Sequence, residues 1–224
     1  MRRATEPLSW NNLSQEPWNH NLHYHRVIVK FIPLDCRRAL DVGCGQGALT
    51  RELRRSVPEV TGIDRDERSI ALASAHRDAA DIRYVRGDFL AAPFMPGSFD
   101  LVTSVASLHH MDAAAALRRM AEVLRPGGTL VVVGLARGAS PADACVVLPA
   151  AVGNALHRAA GAWGRRGAAG APTAPYTSPV IWPPPLSYRQ TRSLAARVLP
   201  GVRYRRRLYW RYTLIWAKPG TDAG

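Results

Sequence analysis

Between residues 38 and 136, short apolar runs alternate with segments of helical period, and this alternation constrains the fold more than any other feature. The runs are Ala39-Leu40-Asp41-Val42, Val60-Thr61-Gly62-Ile63-Asp64, Ile82-Arg83-Tyr84-Val85, the stretch from Phe99 to Val105, and Thr129-Leu130-Val131-Val132-Val133. After the first, Leu49, Leu53 and Val57 recur every four residues and make one apolar helix face. Ile70, Ala71 and Ala73 mark a second helix. Leu117, Met120, Ala121 and Leu124 mark a third, capped by Asp112 and ended by Pro126-Gly127-Gly128. Strands joined through helices need crossover connections, so the sheet is expected to be mainly parallel with helices on both faces, an α/β doubly wound fold.

The chain divides by texture into four parts. Residues 1–37, rich in Asn, Trp and His, read as an N-terminal helical cap or lid. Residues 38–136 are the core, and residues 137–190, rich in Ala, Gly and Pro, read as a variable substrate-side segment. Residues 191–224 read as a helix and antiparallel edge strands completing the same domain. Ser187 is a cap for that helix, which runs through Leu194, Ala195, Val198 and Leu199 to Pro200-Gly201. Leu208, Trp210, Tyr212, Leu214 and Trp216 then alternate with other residues, which predicts a half-buried strand or hairpin. No Gly, Asn or Pro marks a turn between Val202 and Trp216, so the boundary between the last two strands stays open.

Composition excludes several classes. At 224 residues, 47% hydrophobic and 21% charged, the chain can bury a core as one domain. Cys36, Cys44 and Cys145 form no C-x-x-C pair, which argues against a disulfide scaffold or a zinc module and for a reducing, cytoplasmic location. No apolar run follows the basic start, so no secretory signal is read there. The stretch from Ala144 to Trp163 contains Pro149, His157 and Arg158 and reads as a buried or lid segment, not a membrane span. The net charge of +13 is lopsided: residues 151–224 hold 12 Lys+Arg and 1 acid. That asymmetry suits a polyanion partner, but 28 of the 30 cations are Arg in a chain rich in Ala, Gly and Pro, which favours composition bias.

In an open parallel sheet, ligands sit beyond the carboxyl ends of the strands. The first strand ends in Asp41-Val42-Gly43-Cys44-Gly45-Gln46-Gly47. Alternate glycines let the backbone turn tightly and approach a ligand, and the next helix presents free N–H groups. The spacing is G-x-G-x-G rather than the G-x-G-x-x-G of a dinucleotide site, and Asp41 would repel a pyrophosphate but suit an ammonium. Asp64 ends the second strand, where a carboxylate accepts both hydroxyls of a ribose; capping the following helix is the other reading. Gly87-Asp88-Phe89 follows the third strand, either as an ordinary turn or as an acid for an exocyclic amine with an aromatic beside it.

These residues resemble the class I S-adenosylmethionine-dependent methyltransferases, in particular their small generic members. The resemblance runs through Leu40 to Gly47, Asp64, Gly87-Asp88-Phe89, Phe99-Asp100-Leu101-Val102 and Leu124-Arg125-Pro126-Gly127-Gly128, in order over residues 38–136. It implies a seven-stranded, Rossmann-like sheet with S-adenosylmethionine as co-substrate. It implies that Gly43, Cys44, Gly45 and Gly47 hold the methionine part, with Asp41 near the amino group. It places Asp64 on the ribose, Asp88 at the adenine amine, Phe89 beside the ring, and Ser104 near the cofactor. Arg65 either packs on adenine or is solvated.

Methyl transfer from a sulfonium needs a nucleophile aligned about 3 Å from the methyl, so orientation and desolvation carry much of the catalysis. A hydroxyl acceptor gains from a base. His109 and His110, just after the fourth strand, and His25 in the N-terminal segment are the candidates. His20, His23 and His25 lack a matching carboxylate or Cys cluster, so no metal is expected. The leading expectation is an enzyme methylating a small molecule on O, N or C, with its oligomeric state open. The alternative is an RNA or DNA methyltransferase, encouraged by Arg203, Arg205, Arg206, Arg207 and Arg211 but lacking the Asp/Asn-Pro-Pro-aromatic motif and a separate RNA-binding module. A third class is a non-catalytic cofactor-binding protein of the same fold.

Overall fold

The computed structural model describes residues 20–138, 182–208 and 210–220. The first nineteen residues and the stretch 139–181, with Trp163, Tyr176 and most of the expected substrate-side segment, lie outside the described residues. The elements are α1 (His20–Val29), β1 (Arg38–Val42), α2 (Ala48–Arg54), β2 (Glu59–Asp64), α3 (Glu67–Ser74), β3 (Ile82–Arg86), β4 (Phe99–Val105), α4 (Ala113–Val123), β5 (Leu124–Leu135), α5 (Tyr188–Val198), β6 (Arg203–Arg206) and β7 (Arg211–Ala217). A short 3₁₀ turn, Leu108–His110, links β4 to α4.

The strands form one seven-stranded sheet in the order β3-β2-β1-β4-β5-β7-β6. β1 to β5 run parallel, and β7 runs antiparallel to both β5 and β6. Parallel strands need both faces covered, and each face carries its own core. Ala39, Leu101, Val131 and Ile215 pack with Tyr24, Ile28, Leu49 and Leu53 on one side. Leu40, Val102, Leu130 and Leu214 pack with Leu117, Met120, Ala195 and Leu199 on the other.

Local signals end the helices as the residues suggest. Asp112 accepts from the Ala115 N–H at 2.7 Å and caps α4. Ser187 and Gln190 form a reciprocal capping box at α5. Asp66, not Asp64, caps α3 by accepting from the Ser69 N–H at 2.8 Å.

The C-terminal strands differ from the expected half-buried edge pair. β7 lies between β5 and β6, which pair with its two edges, and Arg211 to Trp216 are all buried, with Tyr212, Leu214 and Trp216 in one core and Ile215 in the other. The break between the strands falls near Trp210, which takes φ +57° without the Gly or Asn that usually marks such a turn. The arginine run belongs to β6, the outermost strand, where Arg203, Arg205 and Arg206 are exposed. Charges on an edge strand discourage pairing with another chain.

Candidate active site

The carboxyl ends of β1, β2, β4 and β5 and the start of β7 meet at one edge of the sheet. Gly43, Gly45 and Gly47 all take positive φ there, at 72°, 53° and 77°. The three glycines have three different surroundings. A Cβ on Gly43 would collide with Ser107, and one on Gly47 would collide with the phenol of Tyr84. A Cβ on Gly45 would meet nothing within 4 Å. Gly45 is therefore the position at which the loop opens onto free space.

Asp64 ties this loop to β2. Its Oδ2 accepts from the Gly45 N–H at 2.8 Å, and its Oδ1 accepts from the Asp66 N–H at 2.9 Å. Two backbone donors fix the carboxylate, and each oxygen keeps acceptor capacity for a further partner. Gly43 and Cys44 donate to the Ile63 carbonyl at 2.8 and 3.1 Å, which stitches the turn to the same strand.

Beneath the loop, Asp41 is 1% exposed and accepts from the Thr103 hydroxyl at 3.1 Å. Burial pushes its carboxyl up to about 7 against the opposing Thr103 bond, and the charge of Asp64 adds to the rise. A carboxylate so placed gains from any cation that enters above it. Cys44 is buried against Gly62, and burial together with Asp41 and Asp64 drives its thiol upward, so it stays protonated. Ser104 is fully buried, with its hydroxyl 2.5 Å from that of Ser107, which in turn donates to the Val42 carbonyl at 2.8 Å. Ser104 thus supports the loop from below.

Asp88 accepts from the Leu90 N–H at 3.0 Å through Oδ1 and sits half-buried, while Arg65 is exposed. The Phe89 ring departs from its expected place beside a ligand: it is 3% exposed and packs on Phe94 with centroids 6.5 Å apart. The core claims the ring, so this turn offers its acid and its backbone.

His109 and His110 stand side by side, with ring centroids 4.0 Å apart. The chain reaches them through Ala106, held at φ +52° while its N–H donates to the Val133 carbonyl at 2.8 Å. A non-glycine residue at such a φ costs about 1–2 kcal/mol, here in the turn that sets the direction of both histidines. Burial holds His109 down at about 4, helped by His110 and Arg211. Burial also lowers His110, against the attraction of Asp64. His25 is held down at about 4 by burial and by Arg51, whose Nη1 donates to the Gln46 carbonyl of the glycine loop at 2.7 Å. The His109–His110 pair thus follows the end of β4, and His25 lies on α1, whose Tyr24 and Ile28 pack with Leu49 and Leu53 of α2. Among the described residues, no group of three or more His, Cys, Asp or Glu comes together as metal ligands. None of the described helices is long and apolar enough to cross a membrane.

Sequence reasoning missed Thr50, Tyr84, Thr103 and Ser107 as loop supports. Tyr84 Oη lies 2.9 Å from Thr50 Oγ1, which donates to the Gly47 carbonyl at 2.7 Å. The available signal was Gly62 within β2, because a glycine inside a strand marks close approach of neighbours. Its register partners are Asp41 and Tyr84.

Two cavities accompany the site. One of about 320 Å³ lies between the 3₁₀ turn, the start of α4, the end of β5 and the start of α5, and His109 lines it. Another of about 430 Å³ lies at the opposite edge, lined by Arg38, Glu59, Arg83 and Phe99 at the beginnings of strands. Ligands of such sheets bind at the carboxyl ends of the strands, where the smaller cavity lies.

A crossover order of this kind, with a glycine turn and an acid at the end of the second strand, defines a nucleotide-type binding fold. Comparison with known proteins narrows it. Residues 40–132 match the model of the methyltransferase domain family. An uncharacterized methyltransferase of Mycobacterium tuberculosis is 33% identical over 205 residues, covering 91% of this chain and 98% of that protein. The ubiquinone biosynthesis O-methyltransferase of Ralstonia nicotianae is 34% identical over 126 residues, about half of each chain. The YcgJ protein from Bacillus subtilis is similar in structure over 54% of both chains, with a TM-score of 0.49 and 26% identity. The chain belongs to the class I S-adenosylmethionine-dependent methyltransferases.

Proposed function

We propose that this protein transfers the methyl group of S-adenosylmethionine by in-line displacement to an O, N or C nucleophile of a small-molecule acceptor. The observation that carries this reading is the Asp64 carboxylate, bonded to the N–H of Gly45, the glycine whose Cβ direction is open. The residues fit the co-substrate. It offers an ammonium, two vicinal hydroxyls and an exocyclic amine, and Asp41, Asp64 and Asp88 offer carboxylates to match these donors.

Bound there, S-adenosylmethionine supplies an electrophilic methyl group, and the C–S electron pair returns to sulfur as the acceptor's lone pair forms the new bond. In this reading Gly43, Gly45 and Gly47 take the methionine part, with Asp41 beneath its ammonium. Asp64 accepts from the ribose and Asp88 from the adenine amine. His109 and His110 are neutral at pH 7 and can take the proton of a hydroxyl acceptor. Of the arginines that suggested a polyanion partner, Arg211 is buried beneath the sheet's surface and so withdrawn from such a role, while Arg203, Arg205 and Arg206 stay exposed on the edge strand. The buried cysteines Cys36 and Cys44, both free, support a cytoplasmic location.

Calorimetric titration with S-adenosylhomocysteine tests the reading. Wild-type protein should bind, and Asp64→Ala should bind about 1–3 kcal/mol more weakly, the cost of leaving polar partners unpaired. Equal affinity in the two proteins would refute the assignment.

A further inference from the structure

The 320 Å³ cavity adjoins the cofactor crevice through the histidine pair. Ser107 lies against Gly43 of the glycine loop, the His109 ring two residues further on stands 4.0 Å from that of His110 and tilted to it by 43°, and His109 lines the cavity. Most of its other walls are apolar, with Leu108, Met111, Ala114, Leu135, Leu186 and Leu194, and Thr191 and Tyr212 add hydroxyl-bearing side chains. No Lys or Arg occurs among the described lining residues, and the one acid, Asp112, is engaged in capping α4. The imidazole of His109 is the one nitrogen-bearing side chain among the described lining residues, so it is the group that a donor or acceptor of an entering molecule meets.

We infer that this cavity holds the body of the acceptor, and that the acceptor is a neutral, largely apolar molecule of one or two rings whose polar group reaches His109. The inference rests on the methyltransferase reading and adds the chemical class of the acceptor. The size follows from the volume, which lies near the bottom of the roughly 300–1,000 Å³ range of ligand pockets. Neutrality follows from the walls. An anion would enter an apolar cavity without a counter-charge and beside the Asp112 carboxylate, at a high desolvation cost. Mostly apolar walls give affinity through burial, and the few polar side chains among them give orientation.

The test uses 2-naphthol and its carboxylated counterpart, 6-hydroxy-2-naphthoate, titrated by fluorescence into the full chain saturated with S-adenosylhomocysteine. The expected result is saturable binding of 2-naphthol and at least tenfold weaker binding of the carboxylate. Ala114→Trp and Leu194→Trp each fill the cavity from a partly exposed helix position. Each should weaken 2-naphthol at least tenfold and leave S-adenosylhomocysteine affinity within twofold, which also shows that the variant is folded. Overturning results are unchanged 2-naphthol affinity in a variant that still binds S-adenosylhomocysteine, equal binding of the carboxylate, or no 2-naphthol binding by protein that does bind S-adenosylhomocysteine. Failure of wild-type protein to bind S-adenosylhomocysteine would instead remove the methyltransferase reading, and this inference with it.

Discussion

Replacing Gly43 and Gly45 separately by alanine should separate folding from binding. At Gly43, φ is +72° and the added methyl collides with Ser107. Ser107 cannot retreat cheaply, because its hydroxyl is held by the Val42 carbonyl at 2.8 Å and by Ser104 at 2.5 Å. A left-handed alanine costs about 1–2 kcal/mol, and overpacking adds roughly 1–3 kcal/mol. Gly43→Ala should therefore lose about 2–5 kcal/mol of stability. At roughly 2–4 °C per kcal/mol for a chain of this size, Tm falls by about 4–20 °C. Gly45→Ala, at φ +53° with no neighbour within 4 Å, carries only the conformational cost of about 1–2 kcal/mol. Its methyl instead stands where the co-substrate is to lie, so S-adenosylhomocysteine affinity should drop at least tenfold. Chemical denaturation and calorimetry on both variants check this. Equal stability losses, or wild-type affinity in Gly45→Ala, would refute the division of roles.

Other expectations follow from buried charge. Asp41 is raised from 3.8 to about 7, so between these values the folded protein holds a proton that the unfolded chain has released. Stability of the ligand-free protein should therefore fall as pH rises through that window, by about 4 kcal/mol, and Asp41→Asn should flatten the dependence in denaturation curves taken from pH 4 to 8. His109 has the opposite sign: held at about 4 against 6.5, it withdraws stability as pH falls from 6.5 towards 4, and its ring resonances should titrate near 4 by NMR. Asp100 accepts from the N–H groups of Arg37 and Arg38 at 2.8 and 2.7 Å and pairs with Arg125. Asp100→Ala should cost about 3 kcal/mol in urea unfolding, because bonds to a charged acceptor are worth about 1.5–3 kcal/mol each, while S-adenosylhomocysteine affinity stays unchanged.

The frame of this fold was legible because its signals are local. Strand runs, helix periods, the Asp112 and Ser187 caps and the glycine turn each depend on neighbours in sequence. What escaped depends on neighbours in space. Three glycines two residues apart look equivalent until Ser107, from beyond β4, and Tyr84, from β3, take up two of them. The alternation of Leu208 to Trp216 predicts a half-buried strand, but β7 sits inside the sheet with a core on each face, so that Arg211, Thr213 and Ile215 are buried along with Tyr212, Leu214 and Trp216. The Phe89 ring reads as a ligand contact from its place after Asp88, yet Phe94 gives it a better-buried position in the core. The acceptor cavity joins residues near 110, 135 and 190, a set that no periodicity connects.

A crystal structure of the protein grown with S-adenosylhomocysteine is the most direct test. Both ribose hydroxyls should lie within hydrogen-bond distance of Asp64, the ligand in van der Waals contact with Gly45, and the sulfur on the His109–His110 side. A ribose bound elsewhere, with Asp64 still holding only the Gly45 and Asp66 amides, would contradict it.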